Sequence, residues 1–176
     1  MNHQNALQVD IRPWSAGDLA LLTQLLGVPG MTEHLGGPET AQQLEKRHLR
    51  YCHSTETGVD PMFVILAGAD RLPAGSIGYW KRDWQGQVVW ETGWSVLPEF
   101  QGKGIASQAA RIIIKRAQAE RTHRFMHAFP SVENAPSNAV CRRVGFSFWG
   151  EEEVEYPKGH SMRCNDWCLD LFAEGG

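Results

Sequence analysis

The chain reads as one α/β (α+β) domain spanning 1–176, a mixed sheet with helices on both faces. Three observations carry this expectation. Strand-length apolar runs alternate with longer segments whose apolar residues recur at helical spacing. At 176 residues with 42% hydrophobic content, the chain is large enough to bury a substantial core. No repeat, linker or low-complexity stretch interrupts it before the short tail Ala173–Gly176.

The order opens with a strand at 7–13 and helices near 16–26 and 38–53. Strands at 62–69 and 74–82 are joined by the turn-forming run Asp70-Arg71-Leu72-Pro73-Ala74-Gly75. A second such run, Asp83-Trp84-Gln85-Gly86-Gln87, leads into a strand at 87–97. An amphipathic helix follows from about Gly104 to Glu120, then a strand at 124–129. Asn134 is placed to cap a helix over 135–144, with Pro136 in its first turn and Gly145 at its end. Val140 and Val144, four apart, form that helix's inward stripe. Strands near 146–156 and 161–171 close the chain.

The junction between the 87–97 strand and the next helix is the most informative stretch. Gln101-Gly102-Lys103-Gly104-Ile105-Ala106 stands where a helix opens and its first N–H groups lack partners. Glycines let an anion approach those groups with no Cβ in the way, and Lys103 adds positive charge. A flexible tight turn before a helix would use the same residues. A dinucleotide fingerprint wants a third glycine where Ser107 stands, and the nucleoside triphosphate loop wants a glycine where Leu97 stands. Neither motif is present.

Two clusters together carry a family resemblance. Gln101, Gly104 and Ala106, with Gly102 and Lys103, match a Gln/Arg-x-x-Gly-x-Gly/Ala loop. Asn134, Ser137, Val140, Gly145 and Phe146 match an Asn-x-x-Ser-x-x-Val…Gly-Phe segment, and Gly104 and Asn134 stand 30 positions apart. The sequence resembles the GNAT superfamily of N-acetyltransferases, and within it the branch holding the ribosomal-protein alanine N-acetyltransferases RimJ and RimL. Ile11-Arg12-Pro13-Trp14, Asp18-Leu19 and Ile77-Gly78-Tyr79 are also similar to that family, and the likeness runs over residues 7–172. It implies a mostly antiparallel sheet of about seven strands and an acetyl-CoA-dependent transfer by direct attack of an amine on the thioester. No metal is implied.

The resemblance also implies a site. The backbone of Gly102, Lys103, Gly104, Ile105 and Ala106, beside Gln101, would hold the cofactor pyrophosphate. The main chain of Trp94, Ser95 and Val96 would pair with the pantetheine amides. Asn134 would hydrogen-bond the pantetheine arm, and Ser137 would lie near the sulfur, where its hydroxyl stabilises developing thiolate charge. Glu91 is the first choice for the base that takes the amine proton through water. It could equally pair with Lys81 or Arg82 on the neighbouring strand, or face water. His127 is a rival base or a structural histidine. Alternation puts Trp90, Thr92 and Trp94 on one face and Glu91 and Gly93 on the other, unless a bulge of the kind expected in this family shifts the register. Trp90 is read as core in preference to pocket wall.

The acceptor is the least legible part. The family's acceptor side is formed by the 27–53 region and the last hairpin, which here carry Met31, Glu33, His34, Leu35, Tyr156, His160 and Met162. The run Glu151-Glu152-Glu153-Val154-Glu155 either attracts a basic acceptor or is a solvated face. A peptide N-terminal amine, a small-molecule amine and a noncatalytic acyl-CoA-binding module all remain open, as does pairing into a homodimer. The net charge of −3 gives no encouragement to nucleic-acid binding. With no long apolar run and no leader-like start, no membrane partner is expected and the location expected is cytoplasmic. Cys52, Cys141, Cys164 and Cys168 show no paired Cys-x-x-Cys units, Cys164-x-x-x-Cys168 on a strand is weak as a metal site, and the four are read as reduced, mostly packing residues.

Overall fold

The computed structural model describes residues 7–173; of the expected tail, residues 174–176 lie outside them. Seven strands form one sheet in the order β1-β2-β3-β4-β5-β7-β6. They are β1 (Val9–Pro13), β2 (Met62–Ala67), β3 (Leu72–Trp84), β4 (Gln87–Val96), β5 (Phe125–Ala128), β6 (Ser147–Glu155) and β7 (Ser161–Asp170). Every neighbouring pair is antiparallel except β4 with β5. The expected mixed, mostly antiparallel architecture is therefore the one observed.

Helices α1 (Leu19–Leu26), α2 (Pro29–Thr32) and α3 (Ala41–Thr57) pack on one face of the sheet, and α4 (Ile105–Glu120) and α5 (Ala135–Arg143) on the other. The one-turn α2 had no counterpart in the sequence reading, because four residues cannot show a helical period. Helix α3 starts three residues later than expected and runs to Thr57. Its start is a reciprocal cap between Thr40 and Gln43, and its end is Gly58 at φ +70°.

Each face buries its own core. In α4, Ile105, Ala109, Ala110, Ile113, Ile114 and Ala117 repeat at three- and four-residue spacing against Ile77, Tyr79, Trp90 and Met126. Fully burying a side chain such as Ile113 contributes ~1.5–3 kcal/mol. Across the sheet, Leu22 and Leu25 meet Trp14, Val64 and Leu44. The first turn is fixed by Asp18, which accepts the Arg12 fork at 2.6 and 2.8 Å and the Ser15 N–H and hydroxyl at 2.8 Å. Burial works against that charge, but the Arg12 and Ser15 bonds outweigh it and hold the Asp18 carboxyl below its usual range.

The two-residue turn Gln85-Gly86, both at positive φ, sets Trp84 opposite Gln87. From that register Gly75 faces Val96 with no shift between. The bulge expected in the 87–97 strand is thus absent from its pairing with β3, and the alternation of Trp90, Thr92 and Trp94 against Glu91 and Gly93 stands.

Candidate acetyl-transfer site

The sheet opens without a bulge because β5 leaves. Only Trp90↔Met126 and Glu91↔His127 pair between β4 and β5. Beyond Ala128 the chain reaches Pro130, which has no N–H to give, and follows β7 instead. Asn165 donates its N–H to the Pro130 carbonyl at 2.9 Å, and Ser131 bridges to Cys164. The two strands splay, and a cavity of about 540 Å³ lies in the gap.

One edge of β4 faces that gap. Leu97 N–H bonds the Ala74 carbonyl, so by antiparallel alternation residues 93, 95 and 97 spend their main-chain groups on β3. Those of Trp94 and Val96 point the other way. This corrects the expectation for Ser95, whose main chain is engaged with Ser76; its residue lines the cavity all the same. The Val96 carbonyl already accepts the Gln101 side-chain amide at 2.8 Å, and the Val96 side chain is core. Open groups therefore remain on Trp94 and on the Val96 N–H.

That Gln101 bond ties β4 to the glycine loop. Gly102 and Gly104 take φ of +71° and +74°, and a Cβ built on either meets nothing within 4 Å. The loop is an open cradle at the mouth of α4, whose opening amides have no intrahelical acceptors. Lys103 folds its ammonium back onto the Glu99 carbonyl at 2.7 Å. Ile105 is buried in the core, leaving only its backbone to the cradle, and Ala106 is half-buried. The residues present fit a diphosphate: left-handed glycines, free amides and a nearby cation.

Across the gap, Asn134 caps α5 by accepting the Ser137 N–H at 3.1 Å, and both residues line the cavity. They are held by a residue that sequence reasoning passed over. Asn138 is buried, donates to the carbonyls of Ser131 (2.9 Å) and Asn134 (2.8 Å), and accepts from Asn165 (2.7 Å) and Trp167 (2.8 Å). One amide thus ties α5, the turn before it and β7 together.

Glu91 lines the cavity with its carboxylate held at 2.7 Å by Arg82. Of the alternatives open in the sequence, pairing with Arg82 is realised. Arg82 is itself fixed, its guanidinium lying 4.9 Å from the Trp84 ring and 4.4 Å from the Phe129 ring. Behind them, Trp84 donates to Asp166 at 3.0 Å, and Asp166 bonds His127 Nδ1 at 2.6 Å. His127 is 2% exposed, stacks on Phe129 and does not line the cavity. It supports the wall, and the rival-base reading fails on access. Trp90 is likewise core, packed edge-on to Tyr79 and His123.

The remaining wall comes from distant segments. His34, Leu35, Tyr156 and Met162 line it as expected, whereas Glu33 and His160 do not; Met31 meets the Gln101 amide instead. Arg47 binds Glu39 and reaches the hydroxyls of Tyr51 (3.4 Å) and Tyr156 (3.3 Å), which closes α3 onto the last hairpin. Burial raises the Tyr156 phenol. Of the acidic run only Glu155 and Val154 line the cavity. Glu151 pairs with Arg163, and Glu152 and Glu153 bond Gln85 and Ser161 on an exposed sheet edge, where charge deters strand addition.

The acetyltransferase (GNAT) domain family matches residues 8–147. The chain belongs to that family. It is 34% identical over 109 residues to an uncharacterized N-acetyltransferase, YnaD, of Bacillus subtilis (strain 168); the match spans 62% of this chain and 59% of that one. Spermidine N-acetyltransferase from Vibrio cholerae superposes with a TM-score of 0.76 at 17% identity, over 93% of this chain and 96% of the other. The Salmonella typhimurium acetyl transferase that modifies the N-terminal serine of ribosomal protein L7/L12 gives 0.74 at 20% identity, over 92% and 94%. At these identities the likeness is one of fold, and it does not separate the RimJ/RimL branch from others. Among the described residues no cluster of three or more His, Cys, Asp or Glu side chains is arranged to hold a metal, and no helix is long and apolar enough to cross a membrane.

Proposed function

We propose that the protein is an acetyl-CoA-dependent N-acetyltransferase that delivers acetyl directly to the amine of a peptide or small molecule. The observation that carries this reading is the open edge of β4 meeting the glycine cradle at the mouth of α4. A strand edge offers amide partners in line, and the cradle beside it offers an anion site, which is the combination a pantetheine diphosphate needs.

Acetyl-CoA, when bound, supplies the activated thioester. The chain's residues do the rest. Gly102–Ala106 hold the diphosphate through backbone N–H groups, and Trp94 with the Val96 N–H aligns the pantetheine arm. The Asn134 side-chain oxygen is spent on its cap, so its amide NH₂ is the group left to donate to that arm. Ser137 gives a hydrogen bond to sulfur as charge develops there. Glu91 keeps one oxygen on Arg82 and turns the other to the acceptor, where it takes a proton through water. The N–C bond forms as the C–S bond breaks; the amine gives up one proton and the thiol gains one.

The same fold in other proteins serves a polyamine acceptor and a ribosomal-protein N-terminus, so the fold leaves the acceptor to the cavity wall. The test is acetyl-CoA-dependent product formation read by mass spectrometry across peptides with varied N-termini, amino acids, polyamines and aminoglycosides. Glu91→Gln and Ser137→Ala should each lower turnover, by about 10²-fold for the former, while acetyl-CoA affinity holds. Unchanged turnover in both variants would refute these roles. Binding of acetyl-CoA with no product anywhere in the panel would favour a noncatalytic acyl-CoA-binding module.

A further inference from the structure

The α3 side of the cavity has a floor built on two glycines. Gly78 and Gly93 face each other across β3 and β4, next to the Trp80–Glu91 pair, so all four positions share one face of the sheet. Both glycine positions are covered. A Cβ on Gly78 would stand 2.1 Å from the Met62 sulfur, and one on Gly93 would stand 3.0 Å from Cη2 of the Trp80 indole. With no side chain in the way, Met62 and Trp80 lie down on the backbone, and both line the cavity.

Trp80 is not a core tryptophan. Trp14 and Trp90 are 1% and 4% exposed, whereas Trp80 is half-buried at the margin of the core beneath α1 and α3. The cofactor side is separate from it: Trp94 packs its side chain on the α4 core across the sheet, and Ser137 comes from α5. Trp80 stands directly opposite Glu91, and such pairs set their Cβ atoms about 4.5–5.5 Å apart. From there its indole reaches across to Gly93, beside the stretch of β4 that offers the open edge. Around it, Leu26, Leu35 and Met162 add apolar side chains. Tyr51 and Tyr156 turn their hydroxyls to Arg47, at 3.4 and 3.3 Å, which leaves their rings for the cavity.

We infer that Trp80 is the specificity-determining residue of the acceptor site, and that the acceptor is a primary amine carrying an apolar group of aromatic size. This rests on the acetyltransferase reading above and narrows it. With the amine directed to Glu91, the group it carries rests on the indole, because that ring covers the floor between Glu91 and Gly93. A flat indole beside a thioether favours apolar area removed from water and ring-on-ring contact. A small or hydroxylated group in the same place leaves the ring face uncovered. The amine can belong to a free molecule or to the first residue of a peptide, since the chemistry at the floor is the same.

The experiment compares kcat/KM for 2-phenylethylamine, ethylamine, ethanolamine, spermidine and short peptides beginning with Phe, Gly or Ser, with product identity checked by mass spectrometry. The wild type should favour the ring-bearing amine within each set by about tenfold or more, as expected for one well-covered ring. Such a preference among the free amines, the peptides or both supports the inference and tells which source supplies the amine. Trp80→Ala should bring the ratio to within about threefold of unity, while Trp80→Phe keeps most of it. Gly93→Ala, whose Cβ must displace the end of the indole, should narrow the ratio in the same direction. Acetyl-CoA affinity measured by calorimetry reports that each variant is folded. The inference is overturned if the wild type acetylates the small amines, spermidine or the Gly and Ser peptides as well as the ring-bearing ones, or if the ratio survives Trp80→Ala; in either case the transferase reading stands. If no amine is acetylated, the transferase reading falls and this inference with it.

Discussion

Replacing Asn138 by alanine should be among the most damaging single changes on the α5 side of the cavity. The side chain is 8% exposed and makes four hydrogen bonds, two as donor and two as acceptor. Two of its partners lose little. The Ser131 carbonyl also accepts the Asn134 N–H at 3.0 Å, and the Asn134 carbonyl also accepts the Asn138 N–H at 3.1 Å. The Trp167 indole N–H is different, because it sits on a residue only 5% exposed and has no other partner among the described residues. Leaving it unpaired costs about 1–3 kcal/mol, and the remaining bonds contribute about 0.5–1.5 kcal/mol each before compensation. Together the loss is about 3 kcal/mol. For a chain of this size that lowers Tm by about 6–12 °C, since 1 kcal/mol moves it about 2–4 °C. Calorimetry and urea unfolding followed by circular dichroism measure it. Asn138→Asp is the sharper control: it keeps the oxygen that accepts from Asn165 and Trp167 but turns a second carboxylate oxygen toward two carbonyls, and should be no milder than alanine. A loss below about 1 kcal/mol for Asn138→Ala would show that the amide is not the tie described, since even the orphaned indole accounts for that much.

Three further outcomes can be measured. A Cβ on Gly75 would stand 2.1 Å from the Ser95 carbonyl oxygen and 3.0 Å from the Val96 Cα, so Gly75→Ala must push β3 and β4 apart where the open edge lies. We expect a stability loss of about 3 kcal/mol or more and weaker acetyl-CoA binding by calorimetry, and wild-type values in both would refute the close approach. Gly102→Ala, with open space but φ +71°, should cost only about 1–2 kcal/mol. The pH profile should fall on the alkaline side. Burial pushes the thiols of Cys141 and Cys168 up to about 12 and that of Cys164 to about 11. The folded chain then keeps protons that the unfolded chain releases from about pH 8.5, so the stabilisation is full below that value and is lost as pH rises toward the folded ones. The urea midpoint should drop between pH 8 and pH 11, and a flat midpoint would contradict it.

Much of the site could be read in the chain because its chemistry is local. The left-handed glycines of the cradle, the Asn134 cap with Pro136 behind it, and the inward stripe of Val140 and Val144 are each settled within one turn of backbone. The register that sets Arg82 diagonal to Glu91 was also within reach, since the Gln85-Gly86 turn fixes it; a five-residue turn at 83–87 was too loose to show it. The absent bulge is a further case. A bulge was one way to open the sheet, and the chain uses another: β5 ends at Ala128, and Phe129-Pro130 leads the chain on along β7.

What the sequence by itself determined is the fold class, the glycine cradle and the capped helix facing it, because propensity, capping and positive φ act over a few residues. Tertiary structure decided which side chains share the cavity. It buried His127 against Asp166, set Arg82 between Trp84 and Phe129, and gave Asn138 its four partners. It also brought Arg50 from α3 to the same wall as Glu91. Most of those neighbours are separated by tens of residues in the chain, and only strand register and helix packing bring them to one wall.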